Sequence, residues 1–572
     1  MFETLAAPGP RPRLRLSVRT RSLSYPKWWP NAASDNRLAS GDGPHRKRNL
    51  MTDLHVNERT VAVEAPRWRV FLNVFTLLLA PMMLWALASP LMSVPDEPSH
   101  AIRAVAVAHG DFTGHAETDS AWQISVTVPE YAAHTHELTC FAFQADIPAS
   151  CQAPVKGDPD KPTSITTSAG INSPVYYAIV GAPSLLLSGN AALYGMRLVN
   201  AIVCAALLAG MFMSLRQLPS SRWATLGALV SVTPMVLFLS GSINPNGMEF
   251  AAAAALFAAL LTVVRTPSPG RTLWGRGAIV LLSAAILGNT RSIGLLWILL
   301  AVAGALILSN RQVMSALVRR WETWLIVGGS AIVSLLAVAW YIKPPITTAA
   351  GPVFQGVGTS FRSAFIHMII ETVDYARDWI GLFGWVDRPA PAITVMVWTA
   401  AICAFLVASL ALGRGRALLT VVFFALAVVL VPAVAQAAIV TESGYIWQGR
   451  YTLVLLAYLL IAGGLALDLR YPNALATPGG KRLTVAAIGL LAVAQLAAFV
   501  WTLKRYVVGE AASSLDMILA PAWQPPFGWV VLTLALTVSL GVASWVIVRV
   551  LTRVDSHVSL PVHPAQVSAT AS

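Results

Sequence analysis

The chain has 572 residues, 56% of them hydrophobic and only 12% charged, where a soluble globular protein carries about 25% charged residues. Apolar runs of about 20 residues recur along it, each enough for a helix to cross roughly 30 Å of hydrocarbon, and this excludes a soluble enzyme, a fibrous protein and a disordered chain. Net charge is +13, from 40 Lys and Arg against 27 Asp and Glu, and in a membrane protein that excess must be sorted by side before it is read as nucleic-acid binding.

The chain opens on a basic tail, residues 1–68. Its first 50 residues are rich in Arg, Pro, Ser and Gly and lack the apolar run of a signal peptide, so a disordered tail is expected; Met51 offers an alternative start. A membrane region follows over 69–550, then a second disordered tail, 551–572. Twelve spans are expected: about 70–92, 193–215, 223–240, 247–264, 277–289, 292–309, 321–342, 391–412, 417–438, 451–468, 483–501 and 527–549. The apolar stretch 174–188 is too short to cross and contains Pro183, which suits an interfacial or re-entrant segment.

Charge decides the orientation. Residues 1–69 hold 13 Lys and Arg. If 174–188 does not span, the short cytoplasmic connections carry 15 basic residues and the short outer ones four: Arg291, Arg450, Lys504 and Arg505. The positive-inside rule then places both termini in the cytoplasm. Two large outer loops result, 93–192 and 343–390, expected to carry interfacial helices. Between 93 and 173 there are ten acids against three Lys and Arg, so the basic excess is cytoplasmic and no nucleic-acid partner is expected.

The outer side also gathers the polar clusters. After the first span comes Val94-Pro95-Asp96-Glu97-Pro98-Ser99-His100-Ala101-Ile102-Arg103. Pro98 and the acids suit the start of a helix lying at the outer surface. On that helix Glu97, His100 and Arg103 share a face. Asp96 or Glu97 could act as general base or ligate a divalent cation, and Arg103 could hold a phosphate; a charged helix start with a solvated His is the plainer reading. Cys140 and Cys151, eleven apart in an outer loop, are expected to form a disulfide, whereas Cys204 and Cys403 lie inside apolar spans. His134 and His136 do not match a zinc helix motif. Neither a phosphate-cradling loop nor a nucleophile elbow occurs.

Asn172-Ser173-Pro174-Val175-Tyr176-Tyr177 opens the non-spanning segment, and Asn244-Pro245-Asn246-Gly247 precedes Glu249 slightly inside the membrane, a costly place for a carboxylate. Arg291 sits at the break between the fifth and sixth spans. In the second outer loop Glu371, Asp374 and Asp378 fall at helical spacing, ahead of Phe383-Gly384-Trp385-Val386-Asp387. Gln448-Gly449-Arg450-Tyr451 opens the tenth span, and an Arg on that side suits an anionic ligand.

VPDEPSH (94–100), CFAFQADIPASC (140–151), NSPVYYAIVGAP (172–183), SINPNG (242–247), FGWVD (383–387) and QGRYTL (448–453) come in an order that resembles the bacterial membrane family called domain of unknown function 2142, over about 69–550. That family in turn resembles the C-type glycosyltransferase superfamily, polytopic enzymes that use polyprenyl-phosphate sugars. The resemblance implies an all-α polytopic fold of that type in a bacterial inner membrane. It also implies Asp96 as general base with Glu97 as second carboxylate, a proline-led juxtamembrane helix at NSPVYY, and Arg450 and Arg291 as holders of the donor phosphate. His100, Arg103, Asn172, Tyr176, Asn244, Asp387 and Gln448 complete the candidate binding set, with Asp96 and Glu97 as ligands of any divalent cation. The function to expect is transfer of a sugar from a lipid-linked donor to a cell-envelope glycan, lipid or protein on the outer face. A transporter or flippase of lipid-linked glycans and a non-catalytic partner in envelope assembly are the rivals.

Overall fold

The computed structural model describes residues 67–116, 123–342 and 354–553. Both expected tails, 1–68 and 551–572, lie outside them apart from residues 67–68, which open the first helix, and 551–553, where the last helix ends. The described residues form twenty α-helices and five short strands.

Helix α1 (Arg67–Ala88) ends before Pro90, and α2 (Glu97–Ala108) starts after a turn, with Pro98 in its first turn, where a missing N–H leaves nothing unpaired. Instead of lying open at a surface, α2 is buried along nearly its whole length. An antiparallel sheet of β1 (His115–Ala116), β2 (Ile124–Pro129) and β3 (Pro162–Thr167) packs beside it. Ile124, Val126 and Val128 alternate inward on β2, as a one-sided strand requires. After α3 (Glu130–Ala133), the Cys140–Cys151 disulfide closes a tight loop.

Segment 174–188 does not span. It forms α4 (Pro174–Gly181) and one 3₁₀ turn, Ala182–Leu185, laid across α2. A Cβ on Gly181 would stand 2.1 Å from the Ala104 carbonyl oxygen, so only glycine lets the two backbones meet.

The remaining elements are α5 (Gly189–Leu215), α6 (Arg222–Ser231), α7 (Pro234–Ser240), α8 (Pro245–Arg265), α9 (Gly270–Gly288), α10 (Gly294–Leu308), α11 (Arg311–Leu317) and α12 (Trp321–Tyr341). Beyond 353 come α13 (Phe361–Ile370), α14 (Thr372–Arg377), a β4 (Leu382–Phe383) and β5 (Arg388–Pro389) pair, α15 (Ala392–Leu412) and α16 (Gly415–Ser443). A 3₁₀ turn, Gly449–Thr452, leads into α17 (Leu453–Asp468), followed by α18 (Pro478–Val508), α19 (Ser514–Leu519) and α20 (Trp529–Thr552).

Each expected span coincides with a helix, the third with α6 and α7 bent by 65° ahead of Pro234. By length and apolarity nine described helices can cross a membrane, or up to eleven if the bent pairs α6–α7 and α10–α11 count as one span each. The expected count of twelve is not reached because α9, with Arg271 and Arg276 in its first two turns, is not among them. Of the crossing helices, α8 and the Gly449–Asp468 segment are the central ones, 89% and 94% buried, whereas α12 and α20 are peripheral at 6% and 11%. Residues 89–188 form one loop-bearing end of the bundle, and the first turns of α8 and α17 reach it.

Candidate active site

Four chain segments meet at that end: the turn before α2, the first turn of α8, the α9–α10 break and the 3₁₀ turn before α17. Asp96 is the N-cap of α2 in a left-handed conformation, φ 66°, and its side chain makes no capping hydrogen bond. Asp tolerates this conformation better than most residues. The carboxylate instead accepts from Arg450 Nη2 at 2.9 Å. Arg450 is nearly buried while Asp96 is 52% exposed, so the carboxylate faces open space and its partner does not.

Glu97, the next residue, faces elsewhere. It is fully buried, with Arg197 Nε and Nη2 donating to its two oxygens at 2.7 Å each. Ile243 N–H (3.0 Å) and Val94 N–H (3.3 Å) add further bonds. Arg197 also donates to the carbonyls of Ala86, Ser89 and Pro90. It therefore satisfies the open C-terminal end of α1 while holding the first residue of α2. The two adjacent carboxylates serve different arginines and do not form a joint cation site. Among the described residues no group of three or more His, Cys, Asp or Glu is placed to hold a metal.

Arg291, from the α9–α10 break, joins Asp96 and Arg450 through Tyr451. The Arg291 guanidinium carbon lies 4.3 Å from the Tyr451 ring centroid and that of Arg450 5.4 Å. Glu249, buried just past the first turn of α8, stands behind Arg291 at 3.6 Å and accepts from Trp297 Nε1 at 3.1 Å. At 3.6 Å the arginine contact is an ion pair without a hydrogen bond. Arg450 Nε, Arg291 Nη1 and Gln448 Oε1 are buried with no hydrogen-bond partner.

His100 shares a 2.9 Å hydrogen bond with the Tyr177 hydroxyl, which also accepts from Asn172 Nδ2 at 3.0 Å. Burial drops the His100 imidazole to about 4; Asp96 opposes the shift, and Arg291 and Arg450 add to it. The ring is thus neutral at pH 7. Asp378 accepts from Gly449 N–H at 3.3 Å at the head of the Arg450 turn, and burial raises its carboxyl to about 6.

The other candidates frame this cluster. Asn244 donates to the Pro95 carbonyl at 3.2 Å, steadying the Asp96 turn. Arg103 is buried and donates to the carbonyls of Asp111 and Phe112 at 3.2 and 2.6 Å, which turns it to the loop after α2 and not to a phosphate. Asp387 accepts from Trp385 N–H and from Arg505 at 2.6 Å, while Trp385 Nε1 donates to the Met92 carbonyl. Tyr176 packs edge-on against Tyr177 but its hydroxyl has no partner; it is Tyr177 that reaches His100.

Spacing did not single out Tyr177 or Tyr451. Each neighbours a residue that was singled out, and for Tyr451 the adjacent Arg450 was the available signal. Two cavities open near this end. One of about 410 Å³ is bounded by Leu91, Gln152, Tyr194 and Trp523 among others, and one of about 310 Å³ by Trp501, Lys504, Met517 and Trp529 among others. Neither includes Asp96 or Arg450.

The family described as "Predicted membrane protein (DUF2142)" matches residues 79–459. Among solved structures the chain is similar to the crystal structure of ArnT from Cupriavidus metallidurans bound to undecaprenyl phosphate, at 14% identity and TM-score 0.37, covering 85% of this chain and 76% of that one. It is also similar to the apo state of the same protein, at 13% identity and TM-score 0.40, covering 85% and 78%. No curated protein matches.

Proposed function

We propose that the chain, which belongs to the DUF2142 family of membrane proteins, is a membrane glycosyltransferase. It moves a sugar from a polyprenyl-phosphate-linked donor to a cell-envelope acceptor, from a site facing outward in a bacterial inner membrane. The observation that carries this reading is the pairing of a half-exposed carboxylate, Asp96, with a buried arginine, Arg450, beside a second arginine held on the same tyrosine.

The chemistry uses these groups in sequence. Arg450 and Arg291 receive the donor phosphate through charge-assisted hydrogen bonds. Arg450 then turns from Asp96 to the phosphate, and the freed carboxylate accepts the proton of an acceptor hydroxyl. The hydroxyl oxygen bonds to the anomeric carbon as the carbon–oxygen bond to phosphate breaks. Polyprenyl phosphate leaves with the bonding electron pair, its charge stabilised by the two arginines. His100, neutral and steadied by Tyr177, is suited to hydrogen bonding and not to carrying charge.

The transporter reading calls for charged groups at mid-span. The buried charges on the described spanning helices, among them Arg197, Glu249, Asp468 and Arg505, sit within about three turns of a helix end, which favours chemistry at a membrane face.

The test supplies the purified chain with undecaprenyl phosphate carrying a radiolabelled hexose and an envelope extract as acceptor. Label should move to the extract with release of undecaprenyl phosphate. A panel of such donors with no transfer from any of them would overturn the reading.

A further inference from the structure

We propose that Tyr451 is the positioning residue of the anion site: its ring holds the guanidinium groups of Arg291 and Arg450 together while leaving their charge and N–H donors for a phosphate. The identity of that phosphate as the donor's rests on the transferase reading; the role of Tyr451 does not.

Two arginines brought to one place repel each other. A carboxylate between them would relieve the repulsion, but it would occupy the donors an anion needs and cancel the charge that attracts it. An aromatic face attracts a cation through its quadrupole and accepts no hydrogen bond in the guanidinium plane. Both arginines lie over the Tyr451 ring, at 4.3 and 5.4 Å. Their carboxylate partners fit the same division of labour. Glu249 stays 3.6 Å from Arg291, beyond hydrogen-bond distance, and Asp96 is half exposed and displaceable. Arg291 Nη1 is turned to Glu249, whereas Arg450 keeps a buried nitrogen, Nε, with no hydrogen-bond partner. Buried donors without partners are uncommon and call for an explanation; a ligand oxygen supplies one.

The ring is itself fixed. Trp447 packs edge-on against it at 5.8 Å. The turn carrying Trp447 is pinned by Gln436 of α16, whose Oε1 accepts from Ile446 and Trp447 N–H at 3.0 and 2.8 Å and whose Nε2 donates to the Gly444 carbonyl at 2.8 Å. The tyrosine backbone N–H closes the turn on the Gln448 carbonyl at 3.1 Å. These contacts hold the ring from outside the anion site. It is the ring face, and not the hydroxyl, that meets the two arginines.

The experiment measures binding of undecaprenyl phosphate, and separately of inorganic phosphate, to the full chain in phosphatidylcholine nanodiscs, for the wild type, Tyr451→Phe, Tyr451→Leu and Arg450→Ala. Tyr451→Phe should bind within about twofold of the wild type, and Tyr451→Leu roughly tenfold more weakly. In the Arg450→Ala background the leucine substitution should cost clearly less than it does alone, because the two residues act as a unit. Wild-type affinity in Tyr451→Leu, or costs that simply add, would overturn the role of Tyr451. If the leucine variant does not fold, Tyr451→Met is read against the same outcomes. Inorganic phosphate that binds with this Tyr451 dependence while undecaprenyl phosphate does not would leave Tyr451 in its role and overturn the lipid-donor reading. Binding of neither by the wild type would overturn both.

Discussion

Asp96 and Glu97 are neighbours in sequence and face different partners. Glu97 lies in a buried ion pair with Arg197 that ties the end of α1 to the start of α2. Removing its charge leaves Arg197 buried and uncompensated, at a cost of about 3–5 kcal/mol. Glu97→Gln should therefore lower the unfolding temperature and the yield of folded chain. A variant as stable as the wild type would show that the pair is not structural. Local spacing reveals which residues share a helix face, but Arg197 lies 100 positions away, and nothing in the VPDEPSH motif announces it. For the same reason Arg103 reads from sequence as a phosphate ligand and in the fold holds two loop carbonyls.

His100 makes a pH prediction at the same scale. Its imidazole titrates at about 4 in the folded chain, chiefly because it is buried, against about 6.5 when unfolded. Between those values the unfolded chain binds the extra proton, so stability is full above pH 6.5 and falls as pH drops toward 4, by up to about 3 kcal/mol. His100→Gln should flatten the dependence of unfolding temperature on pH across that window; an unchanged slope would contradict the assignment.

Among the elements, close approach in the bundle depends on glycines at helix crossings. A Cβ on Gly464 of α17 would stand 2.3 Å from the Trp223 carbonyl oxygen, and one on Gly227 of α6 2.2 Å from that of Leu460. Small residues let helices pack backbone to backbone inside a membrane. Gly464→Leu should destabilise by about 1–3 kcal/mol or more, whereas Gly489→Leu on α18, where a side chain meets open space, should be nearly silent. Equal effects on unfolding temperature would contradict this packing. The helices were legible because apolar runs of span length mark themselves, and 174–188 was legible as non-spanning from its length and Pro183. Strands β2 and β3 were not read, since strands of six residues leave a weak periodic signal beside spans three times as long. The burial of α2 was missed as well. It depends on the sheet and α4 covering it, and its His and Arg suggested a solvated face.

At the scale of the whole molecule, low charge content and long apolar runs established a membrane protein, and the order of six short motifs pointed to the family that residues 79–459 match. The meeting of Asp96, Arg291 and Arg450 was legible only as a shared side of the membrane. Their meeting is made by bringing the α9–α10 break and the 3₁₀ turn before α17 to the turn before α2, with Arg450 on Asp96 and both arginines over Tyr451, a tertiary fact with no local trace. The most direct measurement is the release of undecaprenyl phosphate from a labelled sugar donor by the wild type and by Asp96→Asn, at saturating donor and with unfolding temperature recorded on the same samples. The wild type should transfer and the variant should not, although it folds equally well and still binds the donor. Turnover by Asp96→Asn at the wild-type rate would contradict the assignment of Asp96 as the base.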